Sequence, residues 1–321
     1  MQGQSNENEK VFPIIARYAH KEDEHPDGWD FTLCGGHHGF NGYGILTRPS
    51  PYILPEGNVQ ISFSGGRTSA YMLHQILEAN NGLPANAVVC FQNTGREMPE
   101  TLDFVQECSE RWSVPIVWLE YDITSEGKNY FKVVSHNQAS RNGEPFDKLI
   151  NKYGRLPSAR IRFCTGVLKI QTGQKYFKSL GWKEWYNAVG IRADEANRIK
   201  QDPKSKVINL HPLADANKTK FDVAAFWNSQ PFDLRLPLIN GKTIKGNCDF
   251  CFLKSEASLA MMMKEHPDMA QWWIDAEERT GKRFERKRSL KTFQEFVNDQ
   301  QDWVFDQQGY FCQEDDGECT G

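Results

Sequence analysis

The sequence has no run of 18 apolar residues, so nothing in it reads as a membrane-spanning helix. It has no surplus of positive charge either. Its 38 Lys and Arg stand against 42 Asp and Glu, a formal charge of −4. That excludes general attraction to nucleic acid, although a local basic patch stays compatible with it. The opening MQGQSNENEK lacks the basic start and apolar stretch of a secretory signal, and a cytoplasmic setting is expected. No internal repeat is visible. Two common phosphate-binding fingerprints, G-x-x-x-x-G-K-S/T and G-x-G-x-x-G, are also missing. Cysteine, by contrast, is present eight times. In a reducing compartment these cysteines point to metal ligation or catalysis, or to inert core thiols, more than to a disulfide framework.

The chain divides by pattern. Residues 1–57 show no clear period; CGGHHGFNGYG (Cys34 to Gly44) reads as a glycine-rich loop and RPSPYILPEGN (Arg48 to Asn58) as a linker. Cys34, His37 and His38 are ligand types, but adjacent histidines in such a loop more often form only the loop. From Val59 the signal sharpens. Val59, Ile61 and Phe63 alternate as a short strand, and Ala70, Leu73 and Leu77 form a helical stripe stopped by Gly82 and Pro84. AVVCF (Ala87 to Phe91) reads as a buried parallel strand. Met98 to Trp112 reads as a helix with an early proline, and Val114 to Asp122 as a strand. This β-α-β-α-β order predicts a doubly wound, mostly parallel α/β sheet. Trp185 to Arg192 adds a strand. Thr124 to Arg160 is polar and irregular. Beyond Gly241 three helices are expected, with Met261 to Met263 and Trp272-Trp273 as packing residues.

The turn Ser64-Gly65-Gly66-Arg67-Thr68-Ser69 joins the first of these strands to its helix. In an open parallel sheet the carboxyl ends of the strands are where ligands sit. Backbone N–H groups at a helix start favour an anion, and glycines let the backbone come close to it. The hydroxyls of Ser64, Thr68 and Ser69 and the charge of Arg67 suit a phosphate. The competing reading is a plain turn with Thr68 or Ser69 as N-cap.

SFSGGRTSA resembles the PP-loop of the adenine nucleotide α-hydrolase superfamily, with Thr68 where aspartate is usual. FQNTGREMPET (Phe91 to Thr101), AVGIRADEANR (Ala188 to Arg198) and NLHPLADANKTKFDVAAFW (Asn209 to Trp227) are similar, in order, to motifs of the phosphoadenosine phosphosulfate (PAPS) reductase family. The resemblance implies a Rossmann-like fold of the PP-loop ATP pyrophosphatase type over 58–240, with 1–57 as an extension and 241–321 as a C-x-x-C and helical region. It implies an adenine nucleotide held by Ser62, Phe63, Ser64, Gly65, Gly66, Arg67, Thr68, Ser69, Asn93, Thr94, Gly95, Gly190 and Arg192. Catalysis would fall to Arg67, Thr68 and Ser69.

GNCDFC places Cys248 and Cys251 in a C-x-x-C, a spacing that lets two thiolates hold one metal or cluster. Cys164 lies upstream among Arg160, Arg162 and Lys169. Iron–sulfur members of the resembled branch carry a Cys-Cys pair there, and Phe163 takes one of its places. The resemblance implies a 4Fe-4S cluster on Cys164, Cys248 and Cys251, with Cys319 or Cys312 as fourth ligand or one iron left open. Zinc on the same thiolates, with His211 or another cysteine, is the alternative, and unliganded core cysteines a third reading. Cys90 and Cys108 read as packing. Glu318-Cys319 echoes the family's reactive tail, but no histidine follows, and the surrounding acids would make the thiol a poor nucleophile.

Two activities fit the resemblance. In one, ATP with Mg²⁺ adenylates an acceptor, a small molecule or a nucleic acid, for transfer of sulfur or nitrogen; a sulfur-donor or reductant protein would be a partner. In the other, adenylyl sulfate or PAPS is reduced to sulfite. A noncatalytic nucleotide- or nucleic-acid-binding subunit is the reading from another class. No membrane partner is expected.

Overall fold

The computed structural model describes residues 12–17, 43–48, 50–199, 202, 204–239, 242–246, 248–283 and 288–299. Cys34, His37, His38, Cys312 and Cys319 lie outside the described residues. In the stretch where no period is visible, β1 (Phe12–Arg17) and β2 (Tyr43–Arg48) pair antiparallel. Each is six residues long, too short for periodicity to separate from its surroundings, and the pairing is not local.

The centre is a six-stranded sheet. Its strands are β3 (Val59–Ser62), β4 (Ala87–Asn93), β5 (Ile116–Ile123), β6 (Asn129–Val134), β7 (Trp185–Ala188) and β8 (Val207–Leu210). They lie in the order β6-β5-β4-β3-β7-β8, all parallel except β6. The chain thus builds outward from β3 through β4 and β5, then returns to β3's other side with β7. That makes β3/β7 the switch point, where the loops after neighbouring strands part and leave a crevice.

The irregular segment after Thr124 contains more structure than its polarity suggests: β6, and α3 (Glu144–Tyr153). Strand β6 is the antiparallel edge, with Tyr130 and Val133 exposed, so no buried run marks it. Helix α3 starts from Gly143 at φ +86°. A Cβ there would meet the Trp272 ring at 2.6 Å, so glycine is required on both counts.

Helices α1 (Arg67–Ala79) and α2 (Pro99–Arg111) follow β3 and β4. Pro99 opens α2 at N1, where its missing N–H costs nothing. Beyond Asn80, the Gly82 N–H (φ +110°) donates to the Leu77 carbonyl at 2.8 Å and closes α1. The helical stripe works as expected: Ala70 and Leu73 are fully buried and Leu77 nearly so, each leucine contributing roughly 1.5–3 kcal/mol by leaving water.

The C-terminal helices are α7 (Glu256–Glu265), α8 (Pro267–Thr280) and α9 (Leu290–Asp299), following short α5 (Pro212–Asp215) and α6 (Lys220–Ser229). Met262, Met263 and Trp273 are packing residues, and they join the same buried cluster as Ile61, Phe63 and Phe91 of the sheet. Cys108 belongs to that cluster, and Cys90 to a second, smaller one with Leu119, Phe177 and Trp185. Burial raises both thiol pKa values, Cys90 to about 12, as inert packing thiols require.

Candidate functional site

The two faces of β3 are built differently. Val59 and Ile61 enter the large core together with Phe63 just beyond the strand, while Gln60 and Ser62 face the other way. Register carries that second face across three strands: Gln60 pairs with Asn187 on β7, and Asn187 with Asn209 on β8. The side chains bond in a row. Trp185 Nε1 donates to Gln60 Oε1 (3.0 Å), Gln60 Nε2 to Ser62 Oγ (2.9 Å), Ser62 Oγ to Asn187 Oδ1 (2.7 Å), and Asn187 Nδ2 to Asn209 Oδ1 (3.0 Å). Gln92 of β4 stands on the same side. Above it passes α4 (Thr172–Ser179), where a Cβ on Gly173 would lie 3.1 Å from Gln92 Nε2.

Between this polar face and the covering segment lies a cavity of about 200 Å³. Ser62, Phe63 and Ser64 line it, with Gln92, Lys169 and Asn187. Its carboxamide lining was not anticipated from the sequence. The signal is present as Gln60, Gln92, Asn187 and Asn209 inside otherwise apolar strands, but only the strand order shows that they share one face.

At the mouth sits the glycine turn. Gly65 has φ +82°, and a Cβ would come 2.7 Å from Thr101 Cγ2 and 3.2 Å from Phe91 and Val105. The Thr101 hydroxyl is buried with no hydrogen-bond partner among the described residues. The N-cap of α1 is Gly66, and no side chain caps the helix. Thr68 and Ser69 lie inside its first turn, so the plain-cap reading of these hydroxyls does not describe them. Ser69 Oγ instead meets Ser64 Oγ at 2.9 Å and the Ser64 N–H at 3.2 Å, and donates to the Gly66 carbonyl at 3.0 Å. The loop is braced from within, and the helix start keeps the uncapped N–H groups that suit an anion.

Arg67, expected to add charge to this turn, is directed elsewhere. Its Nε and Nη2 donate to Asp233 (2.6 and 2.5 Å), Nη2 also to the Leu236 carbonyl (2.9 Å), and Nη1 to Thr243 Oγ1 (2.9 Å). Trp227 Nε1 donates to the Arg67 carbonyl at 2.8 Å. Arg67 therefore fastens the turn to the 227–243 segment. A cation that does reach the turn is Arg192, which is buried and donates from Nη1 to Thr68 Oγ1 at 3.1 Å and from Nε to Asp194 at 3.0 Å. Gly190 lies in a tight turn closed by Ile191 N–H onto the Val189 carbonyl (2.9 Å). The two loops of the switch point thus meet through Thr68 and Arg192.

Asn93 and Thr94 shape their own turn. Asn93 Nδ2 donates to Glu120 (2.8 Å) and to the Ser140 carbonyl (2.9 Å), and its Oδ1 accepts the Gly95 N–H at 3.1 Å. Thr94 Oγ1 donates to Glu97 at 2.8 Å. Cys248 docks here: its Sγ lies 3.3 Å from Thr94 Oγ1, and Glu97 and Cys248 form an antiparallel bridge. The residue inside the C-x-x-C, Asp249, is buried in an ion pair with Arg96 and accepts from Trp273 Nε1 at 2.8 Å. The Arg96 guanidinium lies 4.5 Å above the Trp272 ring. The C-x-x-C is thereby held against the turn after β4.

Cys164, Cys248 and Cys251 are partly exposed, and thiols of this kind have the donor chemistry for a cluster or zinc. Cys164 begins a π-helical stretch, Cys164–Gln171, that leads into α4. Among the described residues no three His, Cys, Asp or Glu stand together as a metal-binding group, with His211 or without it. The expected fourth ligand, Cys319, lies outside the described residues.

His211, at the end of β8, is buried, and burial lowers its pKa from 6.5 to about 4. The folded protein holds it neutral where the unfolded chain binds a proton. Its contribution is present above pH 6.5 and is lost as pH falls from there towards 4. His211→Asn is expected to flatten the acid limb of a stability–pH curve from urea titrations by roughly 3 kcal/mol, at 1.36 kcal/mol per pKa unit. An unchanged limb would contradict this.

The phosphoadenosine phosphosulfate reductase domain family matches residues 58–230. An uncharacterized nin region protein of Escherichia phage lambda is 35% identical over 211 residues, covering 64% of this chain and 69% of its own length. An uncharacterized Methanocaldococcus jannaschii protein is 24% identical over 230 residues, covering 70% of this chain and 48% of that protein. An uncharacterized 37.8 kDa protein of Escherichia phage 186 is 28% identical over 170 residues, 42% of this chain and 48% of its own. The chain thus spans about half the length of the latter two. The solved PAPS reductase from Candida auris, in its phosphate complex, shares 18% identity and superposes with a TM-score of 0.38 over 57% of this chain and 81% of that one, too loosely to bear on residue roles. The family match takes in more than half of the chain and holds the glycine turn, the Asn93 turn and Arg192: the protein belongs to the phosphoadenosine phosphosulfate reductase domain family.

Proposed function

We propose that the protein binds ATP with its phosphates at Ser64–Ser69 and its nucleoside in the adjoining cavity, and adenylates an acceptor for sulfur or nitrogen transfer. The observation that carries this reading is the uncapped start of α1 at the switch point, opening beside a cavity lined by carboxamides. Amide side chains offer paired donors and acceptors, which suit a base edge and ribose hydroxyls.

An acceptor oxygen attacks the α-phosphorus and loses its proton. The new P–O bond forms as the bond to the bridging oxygen breaks, and pyrophosphate leaves carrying that electron pair. A sulfur or nitrogen nucleophile then displaces AMP. The first-turn N–H groups of α1 and the Ser64 and Thr68 hydroxyls stabilise charge on the departing phosphates, and Arg192 orients Thr68. Mg²⁺ would offset the pyrophosphate charge. In the same proposal Cys164, Cys248 and Cys251, with Cys319, take a 4Fe-4S cluster, and zinc is the rival occupant. A bound cluster would supply a soft Lewis acid for sulfur.

Anaerobically purified protein is expected to bind ATP with Mg²⁺ in calorimetry and to release AMP and pyrophosphate with the right acceptor. Absence of ATP binding would overturn the reading. Release of sulfite from adenylyl sulfate or PAPS would decide for a reductase. Binding without turnover for any acceptor would favour a noncatalytic subunit. For the cluster, about four iron and four sulfide per chain are expected, reduced by Cys248→Ser but not by Cys108→Ser. Colourless protein with about one zinc would sink it.

A further inference from the structure

Charge is distributed very unevenly along the chain. From Lys148 to Lys183 there are nine Lys and Arg and no Asp or Glu. That run's +9 against a total of −4 leaves −13 on everything else. The fold keeps it in one region: α3, the loop after it, the π-helical stretch and α4 are consecutive, and α4 lies over the polar face of the sheet. Lys169, in the middle of the run, lines the cavity beside Ser62 and Ser64.

Lys148 is paired with Asp122 at 2.6 Å. Lys152, Arg155, Arg160, Arg162, Lys178 and Lys183 are exposed. Among the described residues Arg155, Lys178 and Lys183 enter no ion pair. Apolar surface is interleaved with these cations: Ile161 and Ile170 are exposed, and exposed Tyr153 stacks on Phe163 with ring centroids 5.1 Å apart at 25°. Cations spaced along a surface, with an aromatic face among them, suit a chain of phosphates carrying unstacked bases. Three of the six exposed cations are arginines, whose planar fork matches phosphate oxygens.

We infer that this basic face binds single-stranded nucleic acid and leads it to the cavity mouth. The binding stands on the charge run and the exposed aromatic within it; the strand's role as the adenylated acceptor rests on the function proposed above.

The test is fluorescence anisotropy with labelled oligonucleotides of about 20 nucleotides, as single-stranded DNA, single-stranded RNA and duplex, with phosphatidylserine vesicles in parallel. Salt-dependent binding to a single strand is expected. If about four phosphates are neutralised, the log–log salt slope will be about −3, at ~0.7 per contact. The triple variant Arg155→Glu, Lys178→Glu, Lys183→Glu, checked for folding by circular dichroism, should weaken binding at least about tenfold and reduce the slope by about two. Tyr153→Ala should cost the single strand about fivefold or more, the effect of one lost base stack, and the duplex little. The DNA and RNA arms identify the sugar. Binding that ignores salt or the triple variant, or that favours duplex or vesicles, would overturn the inference. ATP binding measured on the same samples separates the two proposals. Retained ATP binding without oligonucleotide binding sinks only this inference; loss of ATP binding in the unmodified protein sinks the function proposed above.

Discussion

Gly65→Val is expected to abolish ATP binding and to destabilise the fold by roughly 3 kcal/mol or more. Two independent costs add. The residue must hold φ +82°, a region that penalises a side chain by roughly 1–2 kcal/mol. Its Cβ must also enter a space already filled by Thr101, Phe91 and Val105, and overpacking of that kind costs about 1–3 kcal/mol. Relief requires the turn to move away from α2, which takes the first amides of α1 off the anion. Gly65→Ala should show the same pattern more weakly. Calorimetric titration with ATP and urea unfolding check the two effects separately. A folded Gly65→Val variant that binds ATP as before would remove the turn from the site.

The second large effect is expected at Asp249. Burial pushes its carboxyl up to about 6 and Arg96 opposes the rise, so above neutral pH it is an ionised partner of a buried guanidinium. Asp249→Ala leaves Arg96 buried without a counter-charge, and loss of one partner of such a pair costs about 3–5 kcal/mol. It also strands the Trp273 indole N–H. Asp249→Asn should fall between the two, because the amide still accepts from Trp273 but cannot balance Arg96. Urea unfolding at slightly alkaline pH measures both. A loss under 1 kcal/mol for Asp249→Ala would show that Arg96 finds another partner and that the C-x-x-C is not anchored this way.

These two positions differ in how far they can be read from the chain. Gly65 is legible locally, since a glycine pair between a strand and a helix already implies a special backbone. Asp249 is not. It reads only as the residue between two cysteines, and its partner lies 153 positions away. The same contrast runs through the site. Ser64, Thr68 and Ser69 were placed by their spacing from a strand, whereas the role of Arg67 depended on Asp233 and Thr243, which local pattern does not connect to it. Strand β6 is not legible in the sequence because an exposed antiparallel edge buries little.

By itself the sequence determined the α/β order, the parallel sheet, the glycine turn and the family, because strand alternation, helical period and ordered motifs are properties of neighbours along the chain. Only the tertiary structure decided which side chains share a surface. It aligned Gln60, Asn187 and Asn209 across three strands into one wall of a cavity, turned the Arg67 side chain away from the glycine turn and brought Arg192 to it. It also seated the C-x-x-C on the turn after β4. The physical reason is that register and strand order set side-chain proximity in a sheet, and both are fixed by contacts between residues far apart in sequence.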